Sequence, residues 1–283
     1  MAEMLLGAAV AKAVCAELEP RIDALEVQGI HPRLAIVRIG AREDDLLYER
    51  GAKKRMEGLG IACDVHELPE DASQDDLASL LVALDEDDDV SGILLFRPLP
   101  ARFDEDGLRD LVSAAKDVDC MARASEALIM EGSPWGFAPC TAEAVIRLLD
   151  HYDVPIEGAR MTILGRSMVI GRPLAMLALA RNATPTICHT RTRDLVAECR
   201  RADILVAAVG RARMVGIDMV PVDGVVVDVG INVDDAGAVC GDVDTAAVDG
   251  LVRAITPVPR GVGSVTTSIL AEHVVRAAEQ LLD

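Results

Sequence analysis

The chain has 283 residues and a formal net charge of −19, and 51% of its residues are hydrophobic. This length suits one large or two ordinary globular domains with ample apolar material for a core. The negative charge disfavours nucleic-acid binding, and no stretch of the sequence approaches the roughly 18 apolar residues that span a bilayer. The seven cysteines form no CxxC pair and the five histidines no zinc-like cluster. We therefore expect a cytoplasmic protein with reduced thiols, no metal site and no membrane or nucleic-acid partner.

Hydrophobic periodicity divides most of the N-terminal half into alternating helices and strands. The predicted elements are a helix over 8–28, a strand over 32–40, a helix over 43–58, a strand over 61–68, a helix over 73–86, a strand over 90–96 and a helix over 104–114. Ser73 and Asp75 are the candidate caps of the helix over 73–86. Such alternation is typical of a parallel sheet with helical crossovers. Residues 116–141 show no regular pattern.

A helix over 141–152 precedes a second alternating series. Its predicted elements are a strand over 159–165, a helix over 173–181, a strand over 184–189, a helix over 193–201, strands over 202–210, 224–232 and 254–259, and a helix over 266–282. We therefore predict an α/β protein of two domains. One domain comprises residues 1–148 together with the C-terminal helix 264–283, and the other comprises residues 149–263.

The strongest chemical signal is the segment GRSMVIGRP at 165–173, between a predicted strand and a predicted helix. Gly165 ends the strand, and Gly171 and Pro173 lie where the helix begins. The free N–H groups and the dipole of a helix start receive phosphate, and Arg166 adds positive charge there. The glycines are six residues apart, so the segment is not the GxGxxG fingerprint, and an ordinary α/β loop is the alternative interpretation of this segment alone.

The end of the following strand distinguishes between the two nicotinamide cofactors. In NAD sites an acidic residue there binds the ribose hydroxyls, whereas this strand ends in the run HTRT at 189–192. An arginine and hydroxyl groups, from Arg191 and Thr190, suit a 2′-phosphate, so the C-terminal domain is predicted to be Rossmann-like and to bind NADP. The alternative is that Arg191 is a surface cation. Gly210 and Gly230 end two further strands, where glycine lets a ligand approach the backbone closely.

Further segments match a known family in the family's own order. They are CHTRT (188–192), ADILVAAVG (202–210), VVVDVGIN (225–232), GDVD (241–244), ITPVPRGVGSVT (255–266), KDVD (116–119), PLP (98–100) and PCT (139–141). With the 165–173 loop they resemble the methylenetetrahydrofolate dehydrogenase/cyclohydrolase enzymes over nearly the whole chain. The resemblance implies a two-domain fold, a homodimer and oxidation of 5,10-methylenetetrahydrofolate with NADP to the methenyl form. Many members of the family also hydrolyse that product to 10-formyltetrahydrofolate.

The resemblance also implies site residues. The cofactor-binding set, taken with the motifs above, is Gly165, Arg166, Ser167, Gly171, Pro173, Thr190, Arg191, Gly210 and Ile231. On the substrate side, Asp119 matches the acid that binds the pterin ring, and Gly261 and Gly263 match the glycine-rich segment near the folate. Tyr48 matches the family's tyrosine, and a pterin is a ring on which it would pack. Tyr48 and Asp119 are therefore candidate catalytic residues as well as substrate-binding ones; the alternatives are an ordinary core tyrosine and a helix-cap or loop carboxylate.

The substrate side departs from the family pattern at four positions. The catalytic lysine position is Ala52, its glutamine partner is Phe96, the usual serine is Asp45, and the proline after Gly263 is Ser264. Hydrolysis needs a proton-transfer group with a tuned pKa, whereas hydride transfer mainly needs the two reactants to be positioned. Dehydrogenase activity can therefore survive where cyclohydrolase activity does not.

Lys53 and Lys54 are the candidate replacements for the missing lysine. Lys54 matches a second lysine of the family motif, while Lys53 projects about 100° away from position 52 on a helix. A solvated helix face explains both lysines equally well.

Four functions remain open from the sequence. The first two are a dehydrogenase with weak or absent cyclohydrolase activity and a full bifunctional enzyme that uses Lys53 or Lys54. The others are a non-catalytic paralogue that retains the nucleotide pocket and a dehydrogenase for another substrate.

Overall fold

The computed structural model describes residues 1–234 and 236–282. The strands are β1 Glu3–Met4, β2 Arg33–Ile39, β3 Ala62–Leu68, β4 Gly92–Leu95, β5 Arg160–Leu164, β6 Thr184–Cys188, β7 Ile204–Ala207, β8 Val225–Asp228, β9 Asn232–Val233, β10 Val239–Cys240 and β11 Ala254–Ile255. The helices are α1 Gly7–Val27, α2 Glu43–Gly58, α3 Gln74–Glu86, α4 Glu105–Leu108, α5 Arg123–Glu131, α6 Cys140–His151, α7 Gly171–Ala180, α8 Leu195–Arg200, α9 Thr245–Val248 and α10 Thr266–Glu279.

The chain forms two compact units that are interleaved in sequence. Each unit is named after the number of strands in its main sheet. The three-stranded unit comprises Ala13–Cys140 and Thr267–Asp283, and the six-stranded unit comprises Met1–Lys12 and Thr141–Thr266. In the described part of the chain, no helix is both long and apolar enough to cross a membrane.

The three-stranded unit is built on a parallel sheet in the order β3-β2-β4. The central strand β2 is apolar on both faces, as expected for a strand covered on both sides. Val37 and Ile39 on one face pack in a cluster with Leu77 and Leu81 of α3. That burial, rather than intrinsic propensity, is the main stabilisation of both elements.

The starts of α2 and α3 follow from local electrostatics and capping. Three acidic residues, Glu43–Asp45, occupy the first turn of α2, where the helix dipole favours negative charge. Ser73 caps α3, and its reciprocal partner in the capping box is Asp76. The predicted cap Ser73 is thus confirmed. The prediction of Asp75 was wrong, because the third helical residue is Asp76, and its side chain accepts the hydrogen bond from the backbone N–H of Ser73.

The six-stranded unit has a sheet in the order β1-β11-β8-β7-β5-β6, and its strands pair in parallel. The chain leaves β5 for β6 on one side and returns to β7 on the other. The carboxyl ends of β5 and β7 therefore form a topological switch point, the place where ligands bind in open α/β sheets. The predicted Rossmann-like arrangement is confirmed.

The features that were not predicted from the sequence include β1, α5, the β9–β10 pair and the short helix α9. Strand β1 adds to β11 through only two residues, too few to show a periodicity. Within the irregular stretch 116–141 lies α5, a nine-residue helix that ends at Gly132 in the left-handed conformation. Its brevity and the neighbouring glycines and prolines masked its pattern. Strands β9 and β10 form an antiparallel hairpin where the sequence predicted only the end of a strand.

Candidate functional site

The segment 165–171 forms a tight turn from β5 into α7 at the switch point. Gly165 has a φ of +126°, and a side chain there would strike the carbonyl oxygen of Ala208 beyond β7. A Cβ on Gly171 would lie 2.6 Å from the carbonyl carbon of Gly165 and 2.9 Å from Cα of Arg166. Both glycines are thus required by the close approach of the turn to itself and to the neighbouring strand end.

Ser167 closes this turn with two hydrogen bonds. Its hydroxyl accepts from the N–H of Ile170 at 3.1 Å, and its carbonyl accepts from the N–H of Arg172 at 3.1 Å. The hydroxyl hydrogen remains available to a ligand, since a serine hydroxyl both donates and accepts. Pro173 is buried in the first turn of the ten-residue α7, where its missing N–H carries no penalty. The start of α7 therefore has the character of an anion site.

Arg166, Thr190 and Arg191 are exposed around this turn and the next strand end. The 189–192 turn is held by its own groups, because the N–H of His189 donates to Thr192 Oγ1 at 2.8 Å and the N–H of Arg191 donates to His189 Nδ1 at 3.1 Å. The nearest acid, Asp194, accepts from the N–H of Ala197 as the cap of α8. Within the described residues, neither arginine is paired with a carboxylate. Both guanidinium groups are therefore available to phosphate.

The glycines that end β7 and β8 have different roles. Gly210 has a φ of +64° and open space beside it, as a ligand-facing glycine would. A side chain on Gly230, in contrast, would strike the carboxylate of Asp242. Gly230 therefore has a structural reason to be glycine, since the Asp242 carboxylate occupies the direction that a side chain would take, and the expectation that a ligand approaches its backbone stays a prediction.

Asp242 is fully buried and ties together the loops at two strand ends. Its carboxylate accepts from the N–H groups of Val209 at 2.6 Å, Gly210 at 3.1 Å and Arg211 at 2.8 Å. It also accepts from the side-chain amide of Asn232 at 2.9 Å. Four donors on one buried carboxylate fix the turn at Gly210 relative to the segment after β8.

Asp228, at the end of β8, is a second buried carboxylate beside the first. It accepts from the N–H groups of Gly230 at 3.0 Å, Asp242 at 3.0 Å and Val243 at 2.9 Å. Burial raises the pKa of Asp228 to about 6, against the lowering effect of these hydrogen bonds.

Gly261, Gly263 and Ile231 lie in the same unit. A Cβ on Gly263 would lie 3.6 Å from Cδ1 of Ile231, so the glycine-rich segment runs beside this predicted cofactor residue. Ile231 is 70% exposed, so its side chain is accessible to a ligand. Gly261 is packed against the carbonyl of Pro257 and beside Gly7, which gives it a structural reason to be glycine.

In the three-stranded unit, Tyr48 of α2 lies against Phe96, which follows β4. Their ring centroids are 5.9 Å apart in an edge-to-face arrangement. Ala52, one turn after Tyr48, is fully buried, and Phe96 is 8% exposed. Position 52 is therefore a packed core position in this chain.

Lys53 and Lys54 diverge from the face that carries Tyr48. Lys53 is half-buried, and its charge lowers the pKa of Cys63 on the edge strand β3, although burial raises that pKa to about 11 overall. Lys54 is exposed. Lys53 lies near β3, whereas Tyr48 contacts Phe96, which follows β4 at the opposite edge of the sheet. Lys53 and Tyr48 therefore lie on different sides of α2.

Asp119 is partly exposed, and its carboxylate accepts from the backbone N–H of Cys140 at 2.9 Å. Burial raises the pKa of Asp119, while hydrogen bonds from Cys140 and the charges of Arg97 and His273 oppose the rise.

Sequence reasoning did not single out the side chains of Asp242, Asp228 and His273. All three are fully or almost fully buried, and the first two follow apolar segments. Ionisable residues in such segments must be paired, and that signal would have identified them. Over residues 1–234 and 236–282, no group of three or more His, Cys, Asp or Glu side chains could hold a metal ion.

Comparisons with known proteins agree across the whole chain. Residues 5–119 match the family model of the tetrahydrofolate dehydrogenase/cyclohydrolase catalytic domain, and residues 139–282 match the model of its NAD(P)-binding domain. The chain is 50% identical over 277 residues to the bifunctional protein FolD of Clostridioides difficile. This alignment covers 98% of this chain and 96% of the relative.

Solved structures agree with these relatives. The bifunctional enzyme FolD from Campylobacter jejuni superposes with a TM-score of 0.96 at 35% identity, over 99% of this chain and 100% of that one. The Trypanosoma brucei methylenetetrahydrofolate dehydrogenase-cyclohydrolase, solved with NADP and an inhibitor, has a TM-score of 0.92 at 30% identity, over 99% and 98% of the two chains. This chain therefore belongs to the tetrahydrofolate dehydrogenase/cyclohydrolase family.

Proposed function

We propose that the chain is an NADP-dependent dehydrogenase that oxidises 5,10-methylenetetrahydrofolate to 5,10-methenyltetrahydrofolate. The observation that carries the proposal is the glycine-constrained turn 165–171 at the switch point, which opens a ten-residue helix and is flanked by unpaired arginines. The relatives named above support the folate substrate, and the Trypanosoma brucei complex supports NADP. Because the turn presents N–H groups and positive charge, its residues fit a phosphorylated dinucleotide.

The nicotinamide ring, when bound, accepts a hydride, and the protein's part is to bind and orient. The start of α7, with Arg166 and Ser167, would hold the diphosphate, and Thr190 and Arg191 would hold the 2′-phosphate. Asp242 keeps Gly210 in place after the end of β7. Tyr48 packs on the pterin ring, and Asp119 binds its polar edge. Hydride transfer requires no proton donor at position 52, so the alanine there does not block it.

An assay with purified protein, methylenetetrahydrofolate and either NADP or NAD tests this proposal. We expect methenyl product with NADP and a much weaker reaction with NAD. Asp119→Asn should lower kcat/KM for the folate and leave the Kd of NADP unchanged. NADP binding without turnover of the folate would indicate a non-catalytic paralogue or a dehydrogenase for another substrate.

We further propose that hydrolysis of the methenyl product is weak or absent. Ala52 is fully buried, and the Phe96 ring packs on Tyr48 where the family has a lysine–glutamine pair. The competing proposal is a bifunctional enzyme, as the relatives are named, with Lys53 or Lys54 in the proton-transfer role. The double variant K53M/K54M separates the two: loss of enzyme-dependent hydrolysis with intact dehydrogenase activity would establish the bifunctional enzyme.

We also propose a cytoplasmic homodimer that does not bind nucleic acid. All seven cysteines are free thiols, which suits a reducing compartment, and the net charge of −19 opposes phosphate backbones. Val233 and Val239 face each other across the β9–β10 hairpin and are 68% and 48% exposed. A second copy would cover such an apolar pair. Light scattering coupled to gel filtration measures the oligomeric state directly.

A further inference from the structure

His273 is a buried ionisable side chain for which the proposed reaction has no direct use. It lies on α10, in the last eleven residues of the chain, and is completely buried. Its ring lies 5.2 Å from the ring of Phe137. A histidine in this position has lost its hydration, so the contacts of its ring nitrogens determine its role.

The Nδ1 atom of His273 donates a hydrogen bond to the carbonyl oxygen of Val118 at 2.8 Å. A carbonyl can only accept, so Nδ1 carries the hydrogen. This oxygen belongs to the peptide group that joins Val118 to Asp119. The imidazole therefore fixes the orientation of the peptide plane from which Asp119 emerges, across 155 positions of sequence.

Cys140 completes the arrangement from a second direction. Its thiol lies 3.5 Å from the same Val118 carbonyl and 3.8 Å from Nδ1 of His273. Its backbone N–H, at the first residue of α6, donates to Oδ1 of Asp119 at 2.9 Å. The main chain before Asp119 and the carboxylate itself are thus each held by a separate contact.

We propose that His273 is a positioning residue for Asp119 and hence for the folate substrate. This inference rests on the proposed function, in which Asp119 binds the substrate ring. Without the imidazole donor, the Val118 carbonyl keeps only the longer contact from the Cys140 thiol, so the Val118–Asp119 peptide plane is held less firmly and the carboxylate loses its alignment with the Cys140 N–H. A displacement of about 1 Å in a substrate-binding group lowers the rate by on the order of 100-fold.

Two substitutions separate positioning from simple packing. His273→Leu removes the donor and keeps an apolar side chain beside Phe137, whereas His273→Asn retains an N–H donor near the place of Nδ1. We expect His273→Leu to lower kcat/KM for methylenetetrahydrofolate by about 10- to 100-fold with an unchanged Kd for NADP, and His273→Asn to recover most of that loss. Should the leucine variant fail to fold, His273→Met removes the donor with a more adaptable side chain.

Hydrogen–deuterium exchange of the Cys140 amide provides a readout that needs no substrate. We expect exchange about 10-fold faster in His273→Leu than in the wild type and near-normal exchange in His273→Asn. Equal folate kinetics and equal exchange in all three proteins would overturn the proposal. So would a parallel loss of NADP affinity, folate affinity and melting temperature in both variants, because that pattern describes packing alone. If the wild type itself does not oxidise the folate, the proposed function fails, and the exchange measurement still decides whether His273 holds Asp119.

Discussion

Gly171→Ala is the sharpest test of the nucleotide-binding turn. The added methyl carbon would lie 2.6 Å from the carbonyl carbon of Gly165, and ordinary contacts begin at 3.4 Å. The backbone must therefore separate there by at least about 0.8 Å, and no flexible side chain is available to absorb the movement, since the nearest atoms are all backbone. Phosphate-binding N–H groups tolerate displacements of about 0.5 Å. We expect the Kd of NADP to rise on the order of 100-fold.

Calorimetric titration with NADP measures this change, and melting curves of the free protein control for unfolding. Gly216→Ala in the same unit is the matched control, because a Cβ there meets nothing within 4 Å and the residue has no positive φ. That variant should bind NADP normally and gain at most about 1 kcal/mol of stability. An unchanged Kd in a folded Gly171→Ala protein would refute the assignment of phosphate binding to this turn.

Three further expectations concern specificity, pH and the core. Arg191→Ala should raise the KM for NADP by about 10- to 100-fold and leave the KM for NAD unchanged, because a charge-assisted hydrogen bond to the 2′-phosphate contributes about 1.5–3 kcal/mol. Equal changes in KM for both cofactors would mean that the 2′-phosphate binds elsewhere. The buried Asp228 has its pKa raised from 3.8 to about 6, so the folded state binds its proton more tightly than the unfolded state does. Its contribution to stability is therefore greatest below pH 4 and is lost as the pH rises through 6, by up to about 3 kcal/mol. Urea unfolding measures the free energy of unfolding of the wild type and of Asp228→Asn from pH 4 to pH 7. The wild type should lose stability relative to the variant as the pH rises. A difference that stays constant over this range would mean that Asp228 has an ordinary pKa. Phe137→Ala removes a fully buried ring and should destabilise the protein by about 3–5 kcal/mol in urea titration; a loss below about 1 kcal/mol would show that the site collapses around the cavity.

The sequence predicted those helices and strands in which the spacing of apolar residues follows from burial of one face or of both. Strand β2 and helices α1 and α2 lie within two residues of their predicted bounds because their apolar faces must be covered. Strand β1 has two residues and owes its existence to pairing with β11, some 250 positions later. A contact of that kind leaves no local signal.

The same distinction holds in the candidate site. The turn 165–171 was identifiable because its glycines and its position between a strand and a helix are local features. The role of Gly230 was not, since only the fold brings the Asp242 carboxylate against it. Likewise, the helical angle between positions 52 and 53 suggested that Lys53 points elsewhere, but its neighbour Cys63 became known only from the packing of α2 against β3.

The interleaving of the two units bears on how the chain is made. A nascent chain emerging from the ribosome presents residues 13–140 early, yet their unit lacks α10 until translation has passed Thr267. The other sheet receives β11 only at Ala254, and β1 has no strand to pair with before then. Both units therefore need residues that follow position 253, and a polypeptide that stops before Ala254 contains neither of them complete.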